Sequence, residues 1–252
     1  MLTALTRGLS PRIAECELTF IDRQPIDFGR AVREHEGYKD LLRSLGVQVV
    51  EVPPDNDCPD CCFIEDTAVV VDELAVLTRP GSEARRREVS GVAPIIEQHR
   101  KIVKIKAPAT LEGGDVLRVG RDLFVGLTAR TNREGIAGVQ EYLEPHGYRV
   151  HSVTVPGALH LKSVCSAIDA HTILADPTRV DLAPFSGYEV VQVPGDEWMA
   201  ANVLLINGVV CMHSGFVKTI SLSRQRGAEV HTTDISEFLK AEAGLTCMSL
   251  LL

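Results

Sequence analysis

No stretch of this sequence approaches eighteen consecutive apolar residues, the length that a membrane-crossing helix requires. The opening segment, MLTALTRGLSPRIAE, lacks the continuous apolar core of a secretory signal, and the protein is expected to be cytoplasmic. Basic runs are equally scarce. None exceeds Arg85-Arg86-Arg87 in a chain of net charge −8, so neither nucleic acid nor an anionic membrane is an expected partner. A small cationic ligand suits that balance. No low-complexity linker divides the 252 residues, which fit one domain over 1–252. Cys58, Cys61 and Cys62 invite a zinc site, but the second cysteine pair or spaced histidine pair that would complete it is missing. In a reducing compartment the seven cysteines are expected as free thiols, any of which is available for chemistry.

What the sequence does contain is a repeated pattern. IEDTAVVVDELAVLTRP, EGGDVLRVGRDLFVGL, HLKSVCSAIDAHTILAD and AANVLLINGVVCMHS each set two apolar runs around a polar turn. Strong β-propensity on either side of polar turns, such as DE, GR and NG, predicts a hairpin in each. Stretches of helical period lie between them, such as REHEGYKDLLRSLG and NREGIAGVQEYLEPHG, and each ends in a glycine suited to a helix C-terminus. The hairpins start roughly 40 to 50 residues apart, a spacing typical of structural repetition. The expected fold is α/β, built from ββαβ units around an axis that gathers the polar residues at the strand starts.

Those residues carry the chemistry. In CPDCCFIED, Asp60, Glu65 and Asp66 stand before an apolar run, where three carboxylates are costly unless a cation neutralises them; the alternative is a solvated loop. On a strand Glu65 and Asp66 would face opposite ways, so at most one joins Asp60 at a shared pocket. TLEGGDVL sets Glu112 and Asp115 around two glycines that permit a bulge or a close backbone approach. GALHLKSVCS is read as an alternating segment with His160 and Lys162 on one face; an isolated strand histidine is commonly structural. GLTCMSLLL places Cys247 in a strand-like run, either as a small packed hydrophobe or as a nucleophile on a rigid strand. A cysteine, a histidine and a carboxylate form a candidate nucleophile set, the acid fixing the imidazole tautomer and the imidazole moving protons for the thiol.

PDCCFIEDTAVV, LTRPGSEARRREV, ATLEGGDVLRVGRDLFVGLTARTNREG, LHLKSVCS, AANVLLIN and LTCMS, in that order, resemble the dimethylarginine dimethylaminohydrolase family of the guanidine-modifying (pentein) superfamily across nearly the whole chain. The resemblance implies a five-bladed pseudo-symmetric α/β propeller without metal or organic cofactor. It implies Cys247 as nucleophile, His160 as general acid/base and Glu112 as the carboxylate that orients the histidine. Asp60 and Asp66, with Glu65 beside them, match the groups that hold the guanidinium. Arg85 and Arg130 match the arginines that grip a substrate carboxylate, and Leu18 lies where a lid covers the pocket. Family members usually carry Asp-Gly shortly before the cysteine, to hold the substrate amino group; here the stretch reads Ala241-Glu242-Ala243-Gly244. The implied activity is hydrolysis of Nω-methylated arginine to citrulline and a methylamine. Action on another Nω-substituted guanidine, or a catalytically silent binding protein, are the alternatives, and a homodimer is compatible with such a chain.

Overall fold

Four hairpins form in the four segments that show the pattern, and each gains a parallel third strand. The computed structural model describes residues 2–252, and five three-stranded sheets succeed one another along the chain. The first blade contains β1 (Thr3–Arg7) and β2 (Gln48–Val52), joined by helix α1 (Phe28–Ser44). The second runs β3 (Ala68–Val70), β4 (Leu74–Leu77), α2 (Glu88–Ile96) and β5 (Lys101–Lys104). The third repeats this with β6 (Val116–Val119), β7 (Asp122–Leu127), α3 (Arg133–Leu143) and β8 (Arg149–Thr154). In the fourth, β9 (Cys165–Ala167), β10 (Thr172–Ala175) and β11 (Glu189–Gln192) are linked by a single 3-10 turn, Ala183–Phe185, where the other blades have a helix. The fifth has β12 (Leu204–Ile206), β13 (Val209–His213), α4 (Val217–Gln225) and β14 (Glu229–Thr233), followed by the short α5 (Ser236–Leu239). The chain then returns to the first blade, where β15 (Leu250–Leu251) pairs antiparallel with β1 in the register Ala4 to Leu251 and Leu5 to Leu250.

Every blade therefore has the same plan, an inner strand antiparallel to the middle one and an outer strand parallel to it. Local sequence accounts for the pieces. Asn207 and Gly208 both have positive φ, +50° and +84°, as a two-residue hairpin turn of Asn-Gly type demands. Helix α1 starts where the Asp27 carboxylate accepts the Arg30 N–H at 2.9 Å, and buries Ala31, His35, Tyr38 and Leu42 on one stripe. Gly46, at φ +77°, ends it.

Five apolar clusters hold the ring together, and each fills the seam between consecutive blades. Leu5, Val52 and Leu250 pack on Ala75 and Leu77, Val76 on Val125, Phe124 on Ile173, Leu174 on Val210, and Cys211 on Ala4 and Tyr38. The inner strands enclose an axial channel of about 480 Å³, lined by Val69, Leu117, Ala167, Leu205 and Leu251. Glu65, Lys162 and Thr246 also line this channel, which therefore reaches the polar cluster described next. Among the described residues no helix is long and apolar enough to cross a membrane.

Candidate active site

A short 3-10 turn precedes the inner strand of each blade: Ile64–Thr67, Gly113–Asp115, Leu161–Ser163, Gly195–Ala201 and Thr246–Met248. These turns, rather than the strands, present the polar residues. Glu65 and Asp66 are not alternating strand positions, and both turn towards buried partners. His160 caps the start of its turn instead of sharing a strand face with Lys162, and Cys247 occupies the middle of the last turn, ahead of β15. A tight turn sends neighbouring side chains in divergent directions, where a pleated strand would send them to opposite faces.

His160 Nε2 lies 2.6 Å from Glu112 Oε2 and 3.9 Å from Asp66 Oδ1, and all three side chains are buried. Burial opposes a charge on the imidazole, but Asp66, Glu112 and Asp115 outweigh it and lift its pKa to about 9. Burial likewise opposes charge on Asp66 and Glu112, and the cations His160 and Arg85 hold both carboxyls below their ordinary range. The paired glycines permit this approach. A methyl group on Gly114 would sit 2.7 Å from His160 Nδ1 and 2.8 Å from Asp66 Oδ1, and the Gly114 N–H donates to Asp66 at 2.9 Å. Asp115 supports the same turn by accepting the Leu161 N–H at 3.0 Å, and burial raises its pKa to about 6.

Cys247 is partly buried, while the other six thiols are buried. Burial raises its pKa to about 12, with Glu65 and Asp66 adding to the rise. Its turn is tied to the histidine turn by side chains on either side. Thr246 Oγ1 donates to Glu65 Oε2 at 2.8 Å, and Lys162 Nζ donates to Glu65 Oε1 at 2.5 Å. Asn202, from the fifth blade, donates to the Lys162 carbonyl and to Thr246 Oγ1, both at 2.9 Å, and accepts the Thr246 N–H at 3.2 Å. A side chain at Gly244 would collide with Asn202 at 2.2 Å, and the Gly244 N–H approaches the Cys247 sulfur at 3.4 Å.

The remaining expected residues surround this centre. Asp60 is buried, which raises its pKa to about 6 against the pull of Arg85, and it accepts the Glu17 N–H at 3.2 Å. Leu18 is half-buried and packs, like Cys247, on the cluster between the first and fifth blades. Arg130 Nη1 lies 2.8 Å from Glu17 Oε2 and 3.5 Å from Glu112 Oε1. Two expectations meet different surroundings. Arg85 is wholly enclosed, with its guanidinium bound to Asp66 at 2.7 Å, to Glu88 at 3.0 Å and to the Phe63 carbonyl at 3.2 Å. Glu242, expected at a substrate amino group, accepts the Thr19 N–H at 2.8 Å and the Phe20 N–H at 3.2 Å. Its φ of +59° is unusual for a side chain of that size, and the two loop amides hold it there. Ala241 is buried in the apolar cluster beside it.

Cys58 and Cys61 do not converge on a metal site; their thiols donate to Asp55 and to the Gly8 carbonyl. Among the described residues, the one buried group close enough to hold a metal is Asp66, Glu112 and His160. Its donor atoms are already committed to the imidazole and to the Arg85 guanidinium, a fixed cation in the same place. Residues that pattern reading passes over are Asn202, Ser82 and Glu17. AAN opens one of the predicted hairpins, but a carboxamide in a strand lead gives no ionisable signal, and a loop glutamate gives none at all.

Comparison with known proteins follows the same lines. Residues 22–181 match the family described as N,N dimethylarginine dimethylhydrolase, eukaryotic. N(G),N(G)-dimethylarginine dimethylaminohydrolase of Streptomyces coelicolor is 38% identical over 248 residues, covering 98% of this chain and 95% of that one. A mutant of the Pseudomonas aeruginosa enzyme complexed with citrulline superimposes with a TM-score of 0.94 at 29% identity, over 99% of this chain and 98% of that one. An adduct of a dimethylarginine dimethylaminohydrolase with S-methyl-L-thiocitrulline gives 0.95 at 30% identity, over 99% of both chains.

Proposed function

The chain belongs to the dimethylarginine dimethylaminohydrolase family, and from that footing we propose that it hydrolyses Nω-methylated arginine to citrulline and a methylamine through a covalent intermediate on Cys247. The observation that carries the reading is the buried His160 imidazole, 2.6 Å from Glu112 and 3.9 Å from Asp66, two carboxylates that favour its protonated form. A cation enclosed by carboxylates is the acid that a poor amine leaving group needs.

The flat guanidinium of the substrate docks against Asp60 and Asp66, with Glu65 beside them. In the free protein the Cys247 thiol is neutral, because burial and two carboxylates disfavour its anion. Arrival of a cation within about 4–6 Å reverses that balance, and the thiol loses its proton to solvent. The thiolate attacks the guanidinium carbon, forming the S–C bond. The C–N bond to the methylated nitrogen then breaks, with its electron pair leaving on the amine and a proton supplied by His160. Neutral His160, oriented by Glu112, takes a proton from water. The resulting hydroxide adds to the thiouronium carbon, the S–C bond breaks, and citrulline leaves with Cys247 regenerated. Proton transfer of this kind contributes about 10²–10⁴-fold in rate. Arg130 and Leu18 frame the amino-acid end of the substrate, with Arg85 bracing Asp66 from behind. Ala241 and Glu242 act there through the loop that Glu242 holds. One catalytic domain over 1–252, working in the cytoplasm, is part of this reading.

Incubation under reducing conditions with asymmetric dimethylarginine, monomethylarginine, arginine and agmatine tests it. Citrulline and amine release from the methylated arginines is the expected result. Turnover of no guanidine in the panel overturns the hydrolase reading in favour of a binding protein.

A further inference from the structure

The loop over the site carries its own carboxylate to the arginine that awaits one. Glu17 Oε2 lies 2.8 Å from Arg130 Nη1, and Glu17 Oε1 accepts the Ser82 hydroxyl at 2.6 Å. The Arg130 side chain is 11% exposed, and Nη1 is the atom that both Glu17 and Glu112 approach. The loop is fixed at three further points. The Glu17 N–H donates to Asp60, and the amides of Thr19 and Phe20 donate to Glu242.

We propose that Glu17 is a specificity-determining residue: its carboxylate holds the place on Arg130 that a substrate carboxylate would take, and weights the site towards Nω-substituted guanidines without a free α-carboxylate. The inference rests on the reading above, in which Arg130 receives the amino-acid end of the substrate. Chemically the two groups are the same, each a carboxylate on a short aliphatic stem. A ligand that brings its own must break the Glu17–Arg130 and Glu17–Ser82 contacts, and then places a further anion beside Glu17, Glu112 and Asp60. Like charges at that separation disfavour the charged ligand. The decarboxylated counterpart keeps the guanidinium contacts and leaves Glu17 where it is. Arg85 offers no second landing point, since Asp66 and Glu88 already occupy its guanidinium.

The test compares asymmetric dimethylarginine with N,N-dimethylagmatine, its decarboxylated counterpart, in wild-type protein and in Glu17→Gln, Glu17→Ala and Ser82→Ala. KM and kcat are measured with both compounds. Dissociation constants are measured by calorimetry in the Cys247→Ser background, with and without Glu17→Gln. The expected result is a wild-type preference for dimethylagmatine in KM. Glu17→Gln moves the KM and Kd ratios towards dimethylarginine by roughly tenfold, the scale of one charge-assisted hydrogen bond. The ratio of kcat values between the two compounds stays put, because any effect of the change that reaches Glu112 through Arg130 is common to both. Ser82→Ala, which loosens Glu17 without removing it, moves the ratios in the same direction by less. A ratio that stays within twofold in both glutamate variants, or moves towards dimethylagmatine, overturns the proposal. Absence of turnover with a ratio of dissociation constants that still moves sinks the hydrolase reading and leaves the Glu17 assignment standing. Turnover with an unmoved ratio does the reverse, and failure to bind either compound overturns both.

Discussion

The turns Leu161–Ser163 and Gly195–Ala201 precede the inner strands of neighbouring blades, and each has a polar residue at one end that reaches the cluster on the axis. His160 opens the first and Asn202 follows the second, yet their surroundings could hardly differ more. The imidazole is encircled by Asp66, Glu112 and Asp115 and carries a charge. The carboxamide touches Lys162 and Thr246 through a carbonyl, a hydroxyl and an N–H, donating and accepting at once. An ionised group cannot do both. The repeated turn thus brings polar groups of either kind to the axis, and in the proposed mechanism ionisability separates the position that moves protons from the one that braces the cysteine turn.

Substitutions can push that contrast from either side. The largest effect is expected at the group that both turns serve. Cys247→Ser should abolish turnover and form no mass adduct with a reactive amidine, while Cys58→Ser, whose thiol is buried against Asp55, should keep both properties. A Cys247→Ser protein that reacts at the wild-type rate refutes the nucleophile assignment. Next comes the charged turn. Glu112→Gln should lower kcat by about 10²–10⁴-fold, and should also draw the His160 pKa down from about 9. The alkaline limb of its rate profile should then begin at lower pH than in wild type, a shift that steady-state kinetics reads directly.

For the unaltered protein, kcat/KM should climb with pH between about 6 and about 9, because the thiol that is neutral in the free protein must lose a proton before attack, and the climb should stop at about 9. Below that window Asp60, with its pKa raised to about 6, becomes neutral and releases the guanidinium. Above it His160 loses the proton it must donate. The same group sets a stability limit. Its folded pKa lies above the ordinary histidine value, so its contribution is complete below about pH 6.5 and is lost as pH rises through about 9. Thermal melts across pH 7 to 10 should show the decline in wild type and a smaller one in Glu112→Gln. The smallest effect belongs to the neutral turn. Asn202→Ala leaves the Thr246 N–H and the Lys162 carbonyl unpaired, and should lower stability by about 1–3 kcal/mol with a lesser loss of kcat than Glu112→Gln. If kcat falls as far as in Glu112→Gln, the division between proton-moving and bracing turns fails.

How much of this the sequence discloses follows from what each residue depends on. The hairpins are legible because Asp-Glu, Gly-Arg and Asn-Gly turns are local signals, and the double glycine of LEGGD announces a close approach that the structure realises at His160 and Asp66. His160, Glu112 and Asp66 could be singled out by type, and the structure brings their side chains together. Less legible is anything set by long-range placement. That Glu65 and Asp66 lie on a turn, that the fourth blade replaces its helix with a 3-10 turn, and that Arg85 is sealed between Asp66 and Glu88 depend on neighbours distant in sequence. Glu17 shows the limit most clearly, since its importance comes entirely from its contact with Arg130, more than a hundred residues away.

The first sheet has a consequence for assembly. β1 and β2 are made early in synthesis, but their inner partner is β15, and the Thr3 and Leu252 amides and carbonyls clasp each other across that junction. Ring closure and the placing of the Cys247 sulfur are therefore one event. Under the proposed mechanism, a nascent polypeptide holding every carboxylate and the imidazole would still be inert, and an agent that pries this clasp apart would silence the protein without entering its pocket.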